Sequence, residues 1–267
     1  MQALILAAGL GKRLNCTHKP KCLHEIGKRP LLERQLEQLA GAGVSSVVVV
    51  AGFEREQVEQ AAGSAATVIV NERYAETNSL FSFLLAREAI DEGVLVLNSD
   101  LLFHPGILRR LCRCVGSAFA FDSSSGGEEE HMKVALRDGH LLEMRKDLPR
   151  ERCQGENLGL LRLSRRAARS AFAAAELLVR AGRDRDWLAS AINLVARRHR
   201  VAGVDVAGMP WVEIDFPEDL ERARREVWPR IQASVSPGAA DPPQRRGLQL
   251  VAATVSALPA AEGAVAC

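Results

Sequence analysis

The first hundred residues alternate apolar runs with segments of helical spacing, and this alternation constrains the fold most strongly. The run SSVVVV at residues 45–50 ends in four consecutive β-branched valines, and GVLVLN at residues 93–98 is mostly apolar. Continuous runs of this kind are typical of parallel strands that are covered on both faces. Before the first run, Leu32, Leu36 and Leu39 recur at helical spacing. The β-α-β-α-β-α-β order predicts an open, mostly parallel sheet with helices on both faces.

The second half of the chain is less regular. Asp138-Gly139 separates two strand-like runs and predicts a small β-hairpin. Further strand and helix patterns follow, and the last of them is an amphipathic helix. Beyond it the sequence becomes rich in Ala, Pro, Gly and Ser and loses its periodicity. We therefore predict one domain over residues 1–232 and a disordered tail over residues 233–267.

Composition argues against several classes of protein. The net charge of +2 gives no reason to expect binding to nucleic acid or to a membrane surface. No apolar run approaches the ~20 residues of a membrane-spanning helix. The first apolar run, Ala3 to Ala8, is too short for a signal peptide. The six cysteines lack metal-binding spacing, so we expect reduced thiols in a cytoplasmic protein.

The loop after the first strand is rich in glycine and basic residues, but it matches neither of two common phosphate-binding motifs. A Walker A loop needs G-x-x-x-x-G-K-[ST], whereas here Leu6 stands at the first glycine and Arg13 at the Ser/Thr position. The dinucleotide fingerprint G-x-G-x-x-G fits Gly9 and Gly11 but has Leu14 at its third glycine. The strand therefore leads into a long loop and not into a tight strand-to-helix turn.

This loop nevertheless has the chemistry of a triphosphate-binding site. Glycines allow backbone N–H groups to approach phosphate oxygens without an intervening Cβ. Arg13 can hold a phosphate through two hydrogen bonds, and Lys21 can act as a movable point charge. A loop that runs from Ala7 to Lys21 is long enough to surround a whole triphosphate.

Carboxylates follow two of the predicted strands. Asp100 comes directly after VLVLNS, and open α/β sheets bind their ligands beyond the carboxyl ends of such strands. Asp215 lies between a strand and a helix, where an aspartate can also serve as an ordinary helix cap. Glu213 and Asp215 alternate with apolar residues, so both carboxylates are expected on one face of the strand.

Several segments together resemble one family of enzymes. L-A-A-G-L-G-K-R at residues 6–13, followed by Pro20-Lys21, resembles the signature L-A-A-G-x-G-x-R…P-K of the MobA-like and sugar-phosphate nucleotidyltransferase superfamily. NERYAETNSLFSF, LVLNSDLLF and WVEIDFPEDLERA look like segments of its phosphocholine and aminoalkylphosphonate cytidylyltransferase branch. They are similar also to segments of inositol-phosphate cytidylyltransferases. The resemblance covers about the first 230 residues and implies a Rossmann-like fold.

The resemblance implies a Mg²⁺-dependent reaction. An anionic oxygen of an acceptor attacks the α-phosphate of a nucleoside triphosphate, and pyrophosphate leaves in line. Asp100 and Asp215 would hold Mg²⁺, with Glu213 as a lesser candidate. Lys21 would neutralise charge at the α-phosphate, and Arg13 would hold the β- and γ-phosphates.

The resemblance also implies roles for further residues. Lys133, in the segment Met-Lys-Val, would face the substrate, although a solvent-facing strand lysine is an equal alternative, and Lys146 is a similar but weaker case. Asn78 or Ser79 could instead cap a helix. The expected nucleotide-binding residues are Leu6, Ala7, Ala8, Gly9, Gly11, Lys12, Arg13, Lys21, Thr77, Asn78 and Ser79.

From these observations we predict transfer of CMP from CTP to a phosphocholine-like or 2-aminoethylphosphonate-like acceptor by a monomer or homodimer. A sugar-1-phosphate or inositol-1-phosphate nucleotidyltransferase is an alternative within the same chemistry. A catalytically inactive, nucleotide-binding regulatory module is an alternative of another class. Tyr74, Trp187 and Trp211 could bind a quaternary ammonium group by cation–π contact, although packing is the favoured interpretation for each one.

Overall fold

A long sheet with a parallel half and a mixed half forms the centre of the structure. The computed structural model describes residues 1–14, 18–125 and 131–235. Its strands are β1 (Gln2–Ala7), β2 (Glu25–Ile26), β3 (Arg29–Pro30), β4 (Val47–Ala51), β5 (Thr67–Val70), β6 (Val94–Asn98), β7 (Leu101–Phe103), β8 (Ser117–Asp122), β9 (Lys133–Arg137), β10 (His140–Arg145), β11 (Glu156–Leu163), β12 (Val201–Asp205) and β13 (Trp211–Glu213).

Helices cover the sheet and complete the domain. They are α1 (Leu31–Gly41), α2 (Arg55–Ala62), α3 (Ser79–Leu85), α4 (Pro105–Arg113), α5 (Arg165–Arg180), α6 (Ala189–Ala196), α7 (Pro217–Arg222) and α8 (Trp228–Val235), and a π-helical turn at Ala223–Val227 joins the last two. Within the described residues, no helix combines the length and the apolar character needed to cross a membrane.

The order of the strands places a ligand-binding edge beside β1. In the described part of the chain the large sheet has the order β5-β4-β1-β6-β11-β8-β12-β10-β9. β1 pairs in parallel with β4 on one side and with β6 on the other. The chain adds β4 and β5 on one side of β1 and then crosses to the other side to form β6. The carboxyl ends of β1 and β6 are therefore the switch point at which open α/β sheets bind ligands.

Apolar side chains cover both faces of the sheet, as the continuous strand sequences predict. Val47 and Val49 belong to the apolar layer formed with α1, α2 and α4, whereas Val48 and Val50 belong to the layer formed with α3, α5 and α6. Full burial of each such side chain contributes about 1.5–3 kcal/mol to folding. The predicted α/β fold with helices on both faces is confirmed. The sheet is parallel around β1, but β10 and β11 pair antiparallel with their neighbours, so the described sheet is mixed and not mostly parallel as predicted.

The predicted hairpin forms and extends the edge of the large sheet. Asp138 and Gly139 have φ values of +52° and +74°. Two successive positive φ angles are typical of the turn that joins tightly paired antiparallel strands. β10 pairs with β9 and also with β12, so the hairpin is an integral part of the sheet.

A second, small ladder and the C-terminal helices lie beside the phosphate loop. β7 pairs antiparallel with β13, and the sequence did not predict β7. The helices α7 and α8 pack with Leu14, Ile26 and Leu31 in a separate apolar cluster. Helix α8 continues to Val235, three residues into the predicted tail, and the rest of that tail (236–267) lies outside the described residues.

Substitutions at two glycines test the close approach of β11 to β6. Gly159 has a φ of +79°, and a Cβ there would lie 2.5 Å from Nδ2 of Asn98. Gly139 has a similar φ, with open space around it. We expect Gly139→Ala to cost about 1–2 kcal/mol of unfolding free energy and Gly159→Ala about 1–3 kcal/mol more, because only the second is also overpacked. Denaturant unfolding measures both, and equal losses would contradict the close approach.

Candidate active site

A pocket of about 400 Å³ opens at the carboxyl ends of β1 and β6. Its walls come from the loop after β1, the turn after β6, the polar loop before α3 and the segment around the end of β13. The lining includes all the predicted nucleotide-binding residues and all three predicted acids, namely Leu6, Ala7, Ala8, Gly9, Gly11, Lys12, Arg13, Lys21, Thr77, Asn78, Ser79, Asp100, Glu213 and Asp215.

Ion pairs join the basic loop to the acidic strand ends inside this pocket. The Lys21 ammonium lies 3.4 Å from Oδ2 of Asp100 and also donates a short hydrogen bond to Asp215. Arg13 donates a hydrogen bond to the second oxygen of Asp215, at 2.8 Å. The cations and acids that were predicted separately from the sequence thus form one ion cluster.

The small ladder explains why two distant aspartates meet. Antiparallel pairing of β7 with β13 brings the residues that flank these strands together. The N–H of Ile214 donates to the carbonyl of Asp100 at 2.9 Å and closes the ladder next to the acids. The buried side-chain amide of Gln35, in α1, donates to the carbonyls of Asn98 and Leu101, both at 2.9 Å. These bonds fix the backbone on both sides of Asp100.

The glycine and proline of the loop motif have identifiable roles. Gly11 has a φ of +61°, and a Cβ at this position would lie 2.8 Å from Cγ of Lys21. Any larger residue would therefore be strained and would also displace the lysine. Pro20 begins a short helical turn in which the N–H of Leu23 donates to its carbonyl at 2.9 Å. The turn directs Lys21 towards the acids.

Burial and mutual charge determine the pKa directions in the ion cluster. Burial acts to lower the pKa of Lys21, but the neighbouring Asp100 and Asp215 outweigh it and raise the pKa. Burial raises the pKa of Asp100 and brings that of Glu213 to about 8, with a further contribution from the neighbouring carboxylates. At Asp215 burial is outweighed by Lys21 and Arg13, so its pKa is lowered. The cluster is thus buried and rich in acid.

The acids have the chemistry of a shared cation site. Oδ1 of Asp100 is buried and has no hydrogen-bond donor in the part of the chain that the structure describes. Asp100 and Asp215 both bond to one ammonium, so their oxygens lie close to a common point. The described residues contain no group of three or more His, Cys, Asp or Glu side chains arranged to hold a metal ion. Two carboxylates together with phosphate oxygens and water form a set of oxygen ligands that suits Mg²⁺.

The polar loop before α3 is held by its own side chains. The buried amide of Asn71 donates to Oγ1 of Thr77 at 3.1 Å. Oδ1 of Asn78 accepts the N–H of Ser79 at 2.8 Å and caps α3. Oγ of Ser79 accepts the N–H of Leu188 at 2.9 Å. The capping role considered for Asn78 is therefore observed, while the three predicted residues of this loop also line the pocket.

Of the two lysines considered for contact with substrate, the structure places Lys146 and not Lys133 in the pocket. The Lys133 ammonium donates to the backbone carbonyl of Lys146 at 2.8 Å, outside the pocket lining. Lys146 lines the pocket, and its ammonium lies 4.8 Å from the centre of the Trp187 ring. The structure therefore does not place Lys133 in the pocket lining, and its expected contact with the substrate stays a prediction. Lys133 supports the backbone that carries Lys146.

The aromatic residues also separate into two groups. Tyr74 and Trp187 line the pocket, and Trp187 is 48% exposed. Trp211 lies outside the lining and donates through Nε1 to Oδ2 of Asp122 at 2.8 Å, which is a packing role.

Several lining residues were missed by the sequence analysis, among them Asn98, Met132, Met144, Asn157, Gly159, Leu188 and Ile192. Strand alternation could have indicated Asn98, because it stands two positions before Asp100. Met132 and Met144 are isolated apolar residues without any pattern that marks a site.

A basic glycine loop and paired acids at the switch point of an α/β sheet define the class of site found in nucleotidyltransferases. Residues 3–194 match the family model described as the MobA-like NTP transferase domain. The chain belongs to this family.

Two curated relatives match along most of the chain. It is 34% identical over 239 residues to the CMP-5'-(3-aminopropyl)phosphonate synthase of Streptomyces rubellomurinus, which covers 84% of this chain and 38% of the relative. It is 33% identical over 234 residues to the bifunctional IPC transferase and DIPP synthase of Rubrobacter xylanophilus, which covers 84% and 51%. The chain thus spans at most about half the length of these relatives.

A solved structure shares the fold. The CTP:phosphocholine cytidylyltransferase from Streptococcus pneumoniae superposes with a TM-score of 0.72 at 19% identity, over 84% of this chain and 97% of that one.

Asp219 holds the segment that carries Asp215. Its Oδ2 accepts the N–H groups of Asp215 at 3.0 Å and of Phe216 at 2.9 Å, at the first turn of α7. These bonds satisfy two backbone donors that the start of the helix would otherwise leave without partners. Asp219 therefore fixes the backbone segment that positions Asp215 in the pocket.

Replacement of Asp219 tests this cap. We expect Asp219→Ala to lower the free energy of unfolding by about 1 kcal/mol more than Glu218→Ala, since both remove a first-turn acid but only Asp219 caps backbone donors. Glu218 is exposed on the same turn and is the matched control. Thermal or urea unfolding at physiological salt gives the comparison. Equal losses in the two variants would show that only helix-dipole charge is involved.

Proposed function

We propose that this chain transfers CMP from CTP to a small phosphorylated or phosphonate acceptor and releases pyrophosphate. The observation that carries the proposal is the meeting of Arg13 and Lys21 with Asp100 and Asp215 at the switch point of the sheet. This arrangement provides cations for phosphate groups and carboxylates for a divalent cation within one pocket.

The reaction follows from the charges of the reactants. An oxygen of the acceptor phosphate or phosphonate attacks the α-phosphorus of CTP, and a new P–O bond forms. The bond between the α-phosphorus and the bridging oxygen breaks, and pyrophosphate leaves with the electron pair. Because the second pKa of a phosphate group is about 6, the attacking oxygen is already anionic at neutral pH. The chain has to position and neutralise the reactants, and no proton has to be removed.

The pocket residues have distinct roles in this proposal. Lys21, buried and held charged by its acidic neighbours, neutralises the α-phosphate as negative charge develops there. Arg13 lies at the more exposed side of the ion cluster, and its planar guanidinium suits the outer phosphates. Asp100 and Asp215 would hold Mg²⁺, which supplies charge neutralisation at the phosphates when bound.

The choice of CTP is supported by the relatives. One relative is named for a CMP product, and a solved structure with the same fold is named for CTP. Ala7 and Ala8 line the pocket, and we propose that the edge of the base lies beside their backbone.

A substrate panel tests the reaction class. Pyrophosphate release is measured with CTP, UTP, GTP and dTTP, each against phosphocholine, 2-aminoethylphosphonate, 2-hydroxyethylphosphonate, inositol-1-phosphate and glucose-1-phosphate. We expect turnover with CTP and at least one alkyl phosphate or alkylphosphonate. Turnover confined to a cyclic sugar or inositol phosphate would instead indicate the corresponding alternative. Absence of turnover with every pair would favour the regulatory module.

Removal of either proposed metal ligand tests the site. We expect Asp100→Asn and Asp215→Asn each to reduce kcat/KM at least about 100-fold, since metal neutralisation of phosphate charge contributes several kcal/mol and each 1.36 kcal/mol is a factor of ten. Circular dichroism should show that both variants remain folded. Asp138→Asn is the matched control. Asp138 is exposed in the turn between β9 and β10, and asparagine tolerates its positive φ. An Asp100→Asn enzyme with normal activity would refute the metal assignment.

A further inference from the structure

The segment 183–188, between α5 and α6, is hydrogen-bonded to the polar loop before α3, and we call it the clasp. The carbonyl of Asp184 accepts the N–H of Asn78 at 3.1 Å, at the start of α3. The carbonyl of Asp186 accepts the N–H of Leu80 at 3.3 Å, within the first turn of that helix. The second bond satisfies a donor for which the start of a helix offers no intrahelical partner. The clasp therefore completes the start of α3.

Charged side chains strengthen the contact between the clasp and the loop. The Arg73 guanidinium, on the loop, donates to Oδ2 of Asp184 at 2.6 Å. It also lies 5.0 Å from the centre of the Phe81 ring, in α3. From the clasp, Nε of Arg185 donates to the carbonyl of Glu76 at 3.1 Å. A hydrogen bond between two charged groups is stronger than one between neutral groups, so the bond from Arg73 to Asp184 is the principal side-chain link.

The backbone of Arg73 is also the point around which the polar loop is folded. Its carbonyl accepts the hydroxyl of Thr77 at 2.8 Å, and its N–H donates to Oδ1 of the buried Asn71 at 2.9 Å. One residue thus connects the internal bonds of the loop to the clasp. Loss of the bond to Asp184 would loosen the loop at its centre.

The loop and the clasp form adjoining parts of the pocket. Thr77 and Ser79 line it from the loop, and Leu188 lines it from the clasp. The N–H of Leu188 donates to Oγ of Ser79 where the two segments meet. Arg73 and Asp184 lie outside the lining that the described residues form. They can therefore affect a bound ligand only through the groups that they position.

We propose that Asp184 is a positioning residue for the nucleotide. Through its bond to Arg73 it holds Thr77, Asn78 and Ser79 in the arrangement that binds CTP. This inference rests on the proposed function and adds a residue that no sequence motif indicated. The ion cluster is held separately, by its own ion pairs and by the ladder of β7 with β13. The clasp therefore governs nucleotide binding and leaves the reacting groups in place.

Replacement of Asp184 tests the inference by direct binding. The dissociation constant of CTP in the presence of Mg²⁺ is measured by isothermal titration calorimetry on the full chain. We expect Asp184→Ala to raise it about 3- to 5-fold, in the range that a partly exposed ion pair contributes to an equilibrium. An unchanged dissociation constant would overturn the inference and leave the proposed function standing. A wild-type chain that binds no CTP would overturn both.

Glu176→Ala is the matched control. Glu176 pairs with Arg87 and joins α5 to the turn after α3, and it is 31% exposed where Asp184 is 22% exposed. Both variants lose one ion pair between the same parts of the fold, but Glu176 and Arg87 lie away from the pocket lining of the described residues. We expect similar losses of unfolding free energy and a normal CTP dissociation constant in Glu176→Ala. Equally weakened binding in both variants would indicate general loosening and would overturn the role of Asp184.

A double-mutant cycle tests whether Asp184 acts through Arg73. We expect Arg73→Ala to weaken CTP binding as Asp184→Ala does, and the double variant to be no weaker than either one, because all three lack the same bond. Additive losses would show that the two residues act independently and would overturn the inference.

Steady-state kinetics separate positioning of the nucleotide from participation in the chemical step. We expect Asp184→Ala to raise KM for CTP and to leave kcat within about twofold, since loss of binding shared by ground state and transition state does not change kcat. A lower kcat with an unchanged KM would contradict the positioning role.

Discussion

The short ladder between β7 and β13 is the interaction on which the candidate site depends. It joins two segments that lie far apart in the chain, and the Ile214 N–H closes it against the carbonyl of Asp100. Without this pairing, nothing in the parallel half of the sheet would bring Asp215 near the end of β6. The large sheet provides the switch point, and the small ladder places the carboxylate of Asp215 beside it.

This arrangement brings several carboxylates together in a buried site, and their mutual repulsion opposes folding. Burying carboxylates is costly unless cations and hydrogen bonds compensate. Lys21 compensates directly, while Gln35 and Asp219 hold the backbone on the two sides of the cluster. Burial raises the pKa values of Asp100 and Glu213, and Oδ1 of Asp100 has no hydrogen-bond donor among the described residues. Such local conflicts between stability and charge are expected where a protein is built to bind a ligand.

Features that depend on local sequence could be predicted, whereas features that depend on pairing between distant segments of the chain could not. The parallel strands and the glycine loop were predictable because β-branched runs and glycine spacing act within a few residues. β7 was missed because a strand of three residues shows no periodicity. Without β7, there was no reason to expect from the sequence that Asp100 and Asp215 lie close together. The pocket position of Lys146 and not Lys133 depends on register, since an irregularity between Leu141 and Glu143 shifts the pairing of β10 with β9.

The pocket is lined from several separate parts of the chain. Groups suited to the triphosphate come from residues 6–21 and 71–100, whereas Met132, Met144, Lys146, Trp187, Leu188 and Ile192 form another side of the pocket. Lys146 connects these parts, because its charge helps to lower the pKa of Asp215. A substitution at Lys146 therefore changes the charge balance at the proposed phosphate site as well as the side of the pocket to which Lys146 belongs.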